Sequence, residues 1–249
     1  TTVISITPDQ YAWNALQSYT ESGILPEKAH ANAWKFTIAI EIASALLAMP
    51  DSVLTSTAAR GELSRVKSFV EENFGQSKPG MMATAGKLLK GIKSFNITAF
   101  GFGAGLERDL PEQALTPHII DALFDTLSII SQEIGVVVCL DKLDDSWDGS
   151  EQSMHLLIGL LKASKEINDK LKGEDPRSGI FIIVFLRSDI YEGLQFDDKD
   201  KHRATEEAIT WTPELLRDMI NKRLPEGISI DELFEAGEMR GSIKPFNYI

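Results

Sequence analysis

Four aspartates, Asp141, Asp144, Asp145 and Asp148, follow directly on the uninterrupted apolar run Val136-Val137-Val138-Cys139-Leu140, and this junction is where the sequence could do chemistry. A carboxylate at the end of a buried strand can hold a hydrated Mg²⁺ against a bound phosphate, because Mg²⁺ keeps several waters and takes only one or two protein carboxylates. The competing reading is a solvated loop whose acids cap the helix that follows, and Asp148 is assigned to capping. A second apolar run, 180–186, ends in Arg187-Ser188-Asp189. Arg187 and Asp189 can there contact a terminal phosphate or the attacking water, or else pair with the acidic loop next door; the two roles are compatible, since an arginine beside such acids keeps them ionised. The run DDKDKHR at 197–203 reads as a solvated loop, with Arg203 reaching a neighbouring nucleotide in trans as the sharper alternative.

These groups need a scaffold that brings strand ends together. A strand buried on both faces of a sheet is continuously apolar, and ligands of open α/β sheets gather at the carboxyl ends of the strands. Residues 136–140 and 180–186 are such strands, joined by a helix over 151–171, so a right-handed crossover and a parallel sheet are expected. A β-branched strand over 2–7 ends at Pro8, and Pro8-Asp9 opens a helix. Further helices are expected over 27–49, with Trp34, Ile38, Ile42 and Leu46 at helical spacing, and over 58–74, 81–92, 116–134 and 214–224. Residues 95–106 alternate apolar residues with glycines and read as a β-hairpin.

Several other patterns carry no chemistry. Gly101, Gly103 and Gly105 have GxGxG spacing with no helix after them, and GMMATAGKL at 80–88 misses a phosphate-binding loop by its spacing, its leucine and the lack of a strand before it. His30, His118, His155 and His202 have no metal-ligand spacing, and Trp34, Trp147 and Trp211 read as packing residues.

With 249 residues, 43% of them hydrophobic and 25% charged, the chain fits one large α/β domain, alone or with a small appendage. Its net charge of −12 argues against non-specific binding to duplex DNA, where affinity comes from cations displacing counterions. The single cysteine, Cys139, reads as a small buried hydrophobe and suits a reducing, cytoplasmic compartment. Lys35 and Glu41 interrupt the longest apolar stretch, so a buried helix is expected rather than a membrane span. No start methionine or signal peptide precedes the first strand, so the sequence reads as part of a longer chain.

The segments VVVCLDKLDDSWDGS at 136–150, IFIIVFLRSDIYEGL at 180–194 and ITWTPELLRDMINKRL at 209–224, in this order, resemble the P-loop ATPases of the additional-strand division, in particular their bacterial STAND and KAP-like branch. The resemblance implies a P-loop NTPase-like αβα core over residues 1–207, with a helical and β-hairpin insertion at about 58–110, and the start of a small lid or winged-helix-like region over 208–249. It matches Asp141 to the Walker B aspartate that organises Mg²⁺ and Asp144 and Asp145 to the extra acids of a D-x-x-D form. Arg187 falls at the sensor position. Two departures stand out: Lys142 occupies the place where many relatives carry a water-orienting acid, and no Walker A motif is present. The resemblance places the missing phosphate loop and its strand upstream, with that strand beside 180–186, so an apolar edge is expected there that an upstream segment or a partner chain covers.

The expectation is therefore an ATPase core that works with ATP and Mg²⁺ as a nucleotide-dependent switch or motor, in the manner of bacterial conflict and antiphage-defence ATPases, within a homo-oligomer or larger complex. Asp141 would organise the ion, Asp144 or Asp145 the attacking water, and Arg187, with Asp189, the terminal phosphate. The alternatives are a degenerate, non-hydrolysing interaction module in which Lys142 pairs with the acids, and a metal-dependent nuclease, which lacks a catalytic lysine and flanking acids.

Overall fold

The structure is a computed structural model that describes residues 1–21, 23–90, 99, 112–174, 177–197 and 199–224. It separates into two compact units, Thr1–Lys199 and Asp200–Ile249.

The first unit is α/β, built on a three-stranded parallel sheet in the order β1 (Thr2–Ile6), β2 (Val136–Leu140), β3 (Ile180–Val184). Among the described residues five α-helices lie between β1 and β2: α1 (Gln10–Gln17), α2 (Pro26–Leu47), α3 (Thr57–Phe74), α4 (Met81–Leu89) and α5 (Glu112–Ser131). The helix α6 (Glu151–Leu171) joins β2 to β3. Both connections step across the sheet in the same direction. Right-handed crossovers taken in one direction put their helices on one face.

Burial follows this rule. Ile4 and Ile6, Val136, Val138 and Leu140, and Ile180 and Ile182 are all buried on one face. The other face carries the registered rows Val3, Val137, Phe181 and Ser5, Cys139, Ile183, of which Val3 is 68% exposed, Ile183 43%, and Val137, Cys139 and Phe181 half-buried. The expectation of strands buried on both faces is corrected for these rows, and Cys139 is half-buried rather than buried. Parallel sheets are ordinarily covered on both sides, and among the described residues this apolar face is left partly open.

The helices begin and end where local chemistry satisfies their free backbone groups. Asp9, Ser56 and Ser150 cap α1, α3 and α6, accepting from the N–H groups of Ala12, Ala59 and Ser153. Pro26 opens α2, and Gly75, at φ +69°, closes α3 in the left-handed conformation that a residue with a Cβ resists. Glu133, past the end of α5, accepts from the N–H groups of Thr55 (2.6 Å) and Ser56 (3.1 Å), ahead of α3, and the Ser56 hydroxyl first, then these N–H groups, hold its carboxyl down at about 2.

Helix α2 is buried nearly all round, with Trp34, Phe36, Ile38, Ile40 and Ile42 fully inaccessible, so it forms the centre of the helical layer. It packs most extensively along α6. Gly159 on α6 permits this approach: a Cβ there would lie 2.7 Å from the Cβ of His30 and 2.9 Å from the backbone nitrogen of Ala31. Across the same seam Trp34 Nε1–H donates to the carbonyl of Leu156 at 3.0 Å, and the ion pairs Lys35–Glu166 and Lys162–Glu27 flank it.

Two short helices were not anticipated. Residues after β3 form α7 (Ser188–Gly193), so Asp189 lies in a first helical turn rather than in a strand extension, and α8 (Lys199–Arg203) replaces part of the expected charged loop at 197–207. Lys199 Nζ donates to the carbonyls of Tyr191 (2.8 Å), Glu192 (3.2 Å) and Leu194 (2.8 Å), a cation at the carboxyl end of α7 that satisfies its last acceptors. The expected hairpin at 95–106 lies outside the described residues, apart from residue 99.

In the second unit Thr212 caps α9 (Pro213–Asn221) by accepting from Leu215 N–H, as the Thr-Pro signature predicts. No residue of α9 is buried, and Trp211 is 56% exposed, which corrects its reading as a packing residue. The part of the expected lid at 225–249 lies outside the described residues. No helix among the described residues is long and apolar enough to cross a membrane.

Candidate functional site

The carboxyl ends of the three strands leave the sheet together. The β1–β2 ladder continues one residue beyond β2, where Asp141 N–H donates to Ile6 carbonyl at 3.1 Å, and Phe185 N–H donates to Leu140 carbonyl at 2.8 Å on the other side. Asp141 is therefore held at the rim of the central strand, exposed and flanked by both neighbours. The structure places it where the sequence reading required.

Immediately after it, Lys142 takes φ 58° and ψ 34°, the non-glycine residue with positive φ among the described residues. Its N–H donates to Asp141 Oδ1 at 2.8 Å, so the reversal folds the backbone onto the carboxylate. A 3-10 turn, Leu143–Ser146, follows, anchored by the buried Leu143 and by Ser146 Oγ donating to Gln10 Oε1 at 3.3 Å. Asp144 and Asp145 are exposed on this turn. Asp148 is occupied otherwise: its Oδ1 accepts from Ser153 Oγ and from Ser150 N–H at 2.9 Å, and these bonds, that from the Ser153 hydroxyl most, pull its carboxyl down to about 2. The cap of α6 is Ser150, and Asp148 braces that cap from outside the helix.

Arg187 and Asp189 form a forked pair, Nε–Oδ1 at 3.1 Å and Nη2–Oδ2 at 2.7 Å, while Nη1 of Arg187 lies 4.0 Å from Asp144 Oδ2. The hydrogen bonds to Arg187 lower the carboxyl of Asp189, and in return Asp189, with a smaller contribution from Asp144, raises the guanidinium. The arginine thus bridges the end of β3 to the acidic turn after β2. Arg203 closes α8 in the backbone; its side chain lies outside the described residues.

The rim therefore gathers Asp141, Asp144 and Arg187, with Asp189 behind Arg187. Among the described residues no three His, Cys, Asp or Glu side chains converge as a metal cluster. A hydrated Mg²⁺ needs no such cluster, and a single exposed carboxylate at a strand end fits it. Sequence reasoning missed the reversal at Lys142 and the Gln10–Ser146 tie. The left-handed conformation is signalled by glycine or asparagine, and lysine gives no such sign.

Lys142 holds its conformation at a cost, and strain of this kind gathers at functional sites. Lys142→Gly is expected to raise folding stability by about 0.5–1 kcal/mol, since glycine enters this region without a Cβ penalty. Chemical denaturation of parent and variant measures it. A variant no more stable than the parent would show that the reversal is relaxed.

No family model and no solved structure matches the chain. A stretch of 71 residues is 35% identical to the "Putative transposon gamma-delta 80.3 kDa protein" of Escherichia coli (strain K12), covering 28% of this chain and 9% of that protein.

Proposed function

We propose that the chain is the switch or motor core of an Mg²⁺-dependent P-loop ATPase whose triphosphate cradle is supplied from outside residues 1–249. The observation that carries the reading is the position of Asp141 at the carboxyl rim of the central strand of a parallel sheet, with Arg187 from the adjacent strand end reaching toward Asp144. Asp141 would organise the ion through its waters, Asp144 or Asp145 would position the attacking water, and Arg187, released from Asp189, would meet the terminal phosphate. Bound Mg²⁺ would neutralise phosphate charge as it develops. The open apolar face supports the same reading, because a further layer of chain must cover it.

The test is calorimetric titration of Mg·ATP, and separately of ATP with EDTA, into the parent polypeptide that joins residues 1–249 to the cradle. Binding that needs Mg²⁺ is expected, with Asp141→Ala losing at least about tenfold in affinity and its hydrolysis. Hydrolysis by Asp141→Ala at the parent rate would refute the assignment.

The second reading is a non-hydrolysing interaction module, favoured by Lys142 in the place of an acid and by the open sheet face. It predicts no Mg·ATP binding and a stable complex. The partial likeness to a transposon-borne protein covers too little of that protein to choose between the two.

A further inference from the structure

The outer edge of β3 is closed by a side chain. Phe185 N–H points to β2, and alternation along a strand therefore turns the N–H and C=O of Ile180, Ile182 and Val184 outward. At Ile182, the middle of these, both outward groups are taken by one residue of α6: Ile182 N–H donates to Asn168 Oδ1 at 2.8 Å, and Asn168 Nδ2 donates to Ile182 carbonyl at 2.9 Å. The primary amide offers the same donor and acceptor as a peptide unit, so it stands in for one residue of a neighbouring strand. Just below it the chain leaving α6 makes an isolated antiparallel bridge, Lys172 to Gly179. The apolar edge expected to be bare is thus occupied over its first half.

We propose that Asn168 is an edge guard, which keeps β3 from pairing with β3 of a second copy of this chain. The edge invites such pairing: Ile183 and Phe185 are 43% and 40% exposed beside it, and two β3 edges related by a two-fold axis would pair antiparallel into a continuous six-stranded sheet. Adjacent strands lie about 4.8 Å apart, and the amide fills that space at Ile182. A strand from a second copy has to displace it before its own ladder can run past Val184. The guard requires β3 to be the outermost strand, so it competes with the strand that the P-loop reading would supply beside 180–186, and a strand found paired to that edge would overturn it.

The test compares self-association of the parent with that of Asn168→Ala by sedimentation over a range of concentrations. Removing the guard is expected to tighten self-association at least about tenfold. Adding Ile183→Lys, at an exposed position of the same strand, is expected to return it to the parent level, because the two lysines meet across the new pairing. Hydrogen exchange supplies the local readout: Ile182 amide is protected in the parent monomer and exchanges faster in monomeric Asn168→Ala. An Asn168→Ala chain that associates no more than the parent overturns the proposal, as does an increase that Ile183→Lys leaves intact, since association would then use another surface. Should Asn168→Ala fail to fold, Asn168→Ser shortens the side chain and vacates the place beside Ile182 without adding a charge. It is expected to associate more than the parent, and no increase would overturn the proposal equally.

Discussion

Gly179→Ala is expected to cost about 3–5 kcal/mol of folding stability, a large part of what a domain of this size possesses. Two penalties coincide at this position. Gly179 has φ +85°, where a side chain is strained in any surroundings, and a Cβ built on it would lie 2.2 Å from the backbone nitrogen of Gly173 and 2.6 Å from the carbonyl oxygen of Leu171. Neither neighbour is a flexible side chain that could swing away. The same approach is tight from the other side, where a Cβ on Gly173 would fall 2.0 Å from Ser178 carbonyl oxygen.

What the turn holds makes the loss global. Gly179 N–H donates to Ser131 carbonyl at 2.8 Å, its own carbonyl accepts from Val136 N–H at 2.9 Å, and Gly135 N–H donates to Arg177 carbonyl at 2.8 Å. The end of α5 and the starts of β2 and β3 are therefore fastened at this one turn. Gly149 separates the two penalties, because it has φ +71° with nothing within 4 Å of its virtual Cβ. Gly149→Ala should cost only about 1–2 kcal/mol, the dihedral part alone. Urea unfolding of the two variants at a common m-value measures the difference. Equal losses would mean that the bridge between Lys172 and Gly179 yields and the close approach is soft.

The parts of this fold legible in the sequence are those whose cause is local or periodic. The apolar spacing of Trp34, Ile38, Ile42 and Leu46 gave α2, and Pro8-Asp9 and the Thr212-Pro213 pair marked the starts of α1 and α9 to within a residue or two. The apolar runs before Asp141 and Arg187 gave β2, β3 and their parallel pairing. What the runs did not disclose is which face is covered, because Val137, Cys139 and Ile183 are as apolar as their buried neighbours. Only the direction of the crossovers decides that.

Elements held together by tertiary contacts were not legible either. Helices α7 and α8 are too short to show a period, and α7 owes its closing turn to Lys199, a residue beyond its end. At the rim, the position of Asp141 followed from its strand, whereas the left-handed Lys142 and the fork between Arg187 and Asp189 are local geometries that residue types alone leave open. Asn168 sits in the polar stretch 165–172, and nothing in that stretch distinguishes a strand-edge partner from a solvated amide.

Glu41→Gln is expected to raise stability by about 2–3 kcal/mol at pH 8 and to leave it unchanged at pH 4. Glu41 lies in α2, its Oε1 buried without a hydrogen-bond partner among the described residues, and burial pushes its carboxyl from an ordinary 4.5 up to about 7. The folded chain binds this proton more tightly than the unfolded chain. Its contribution is therefore complete below pH 4.5 and is lost as pH rises through 7. His30 works in the opposite sense. Burial, with His155 nearby, lowers it from 6.5 to about 4 against the opposing hydrogen bond to Leu16, so the folded chain resists its proton, and stability present above pH 6.5 is lost as pH falls through 4. Between pH 4.5 and 6.5 the two slopes cancel, and the parent should be nearly flat there. Glutamine removes the Glu41 slope and leaves that of His30, so the variant's stability should climb with pH across this interval. Unfolding midpoints at pH 4, 6 and 8 measure it. An equal gain at all three would trace the effect to packing of the amide and remove ionisation of Glu41 as the cause.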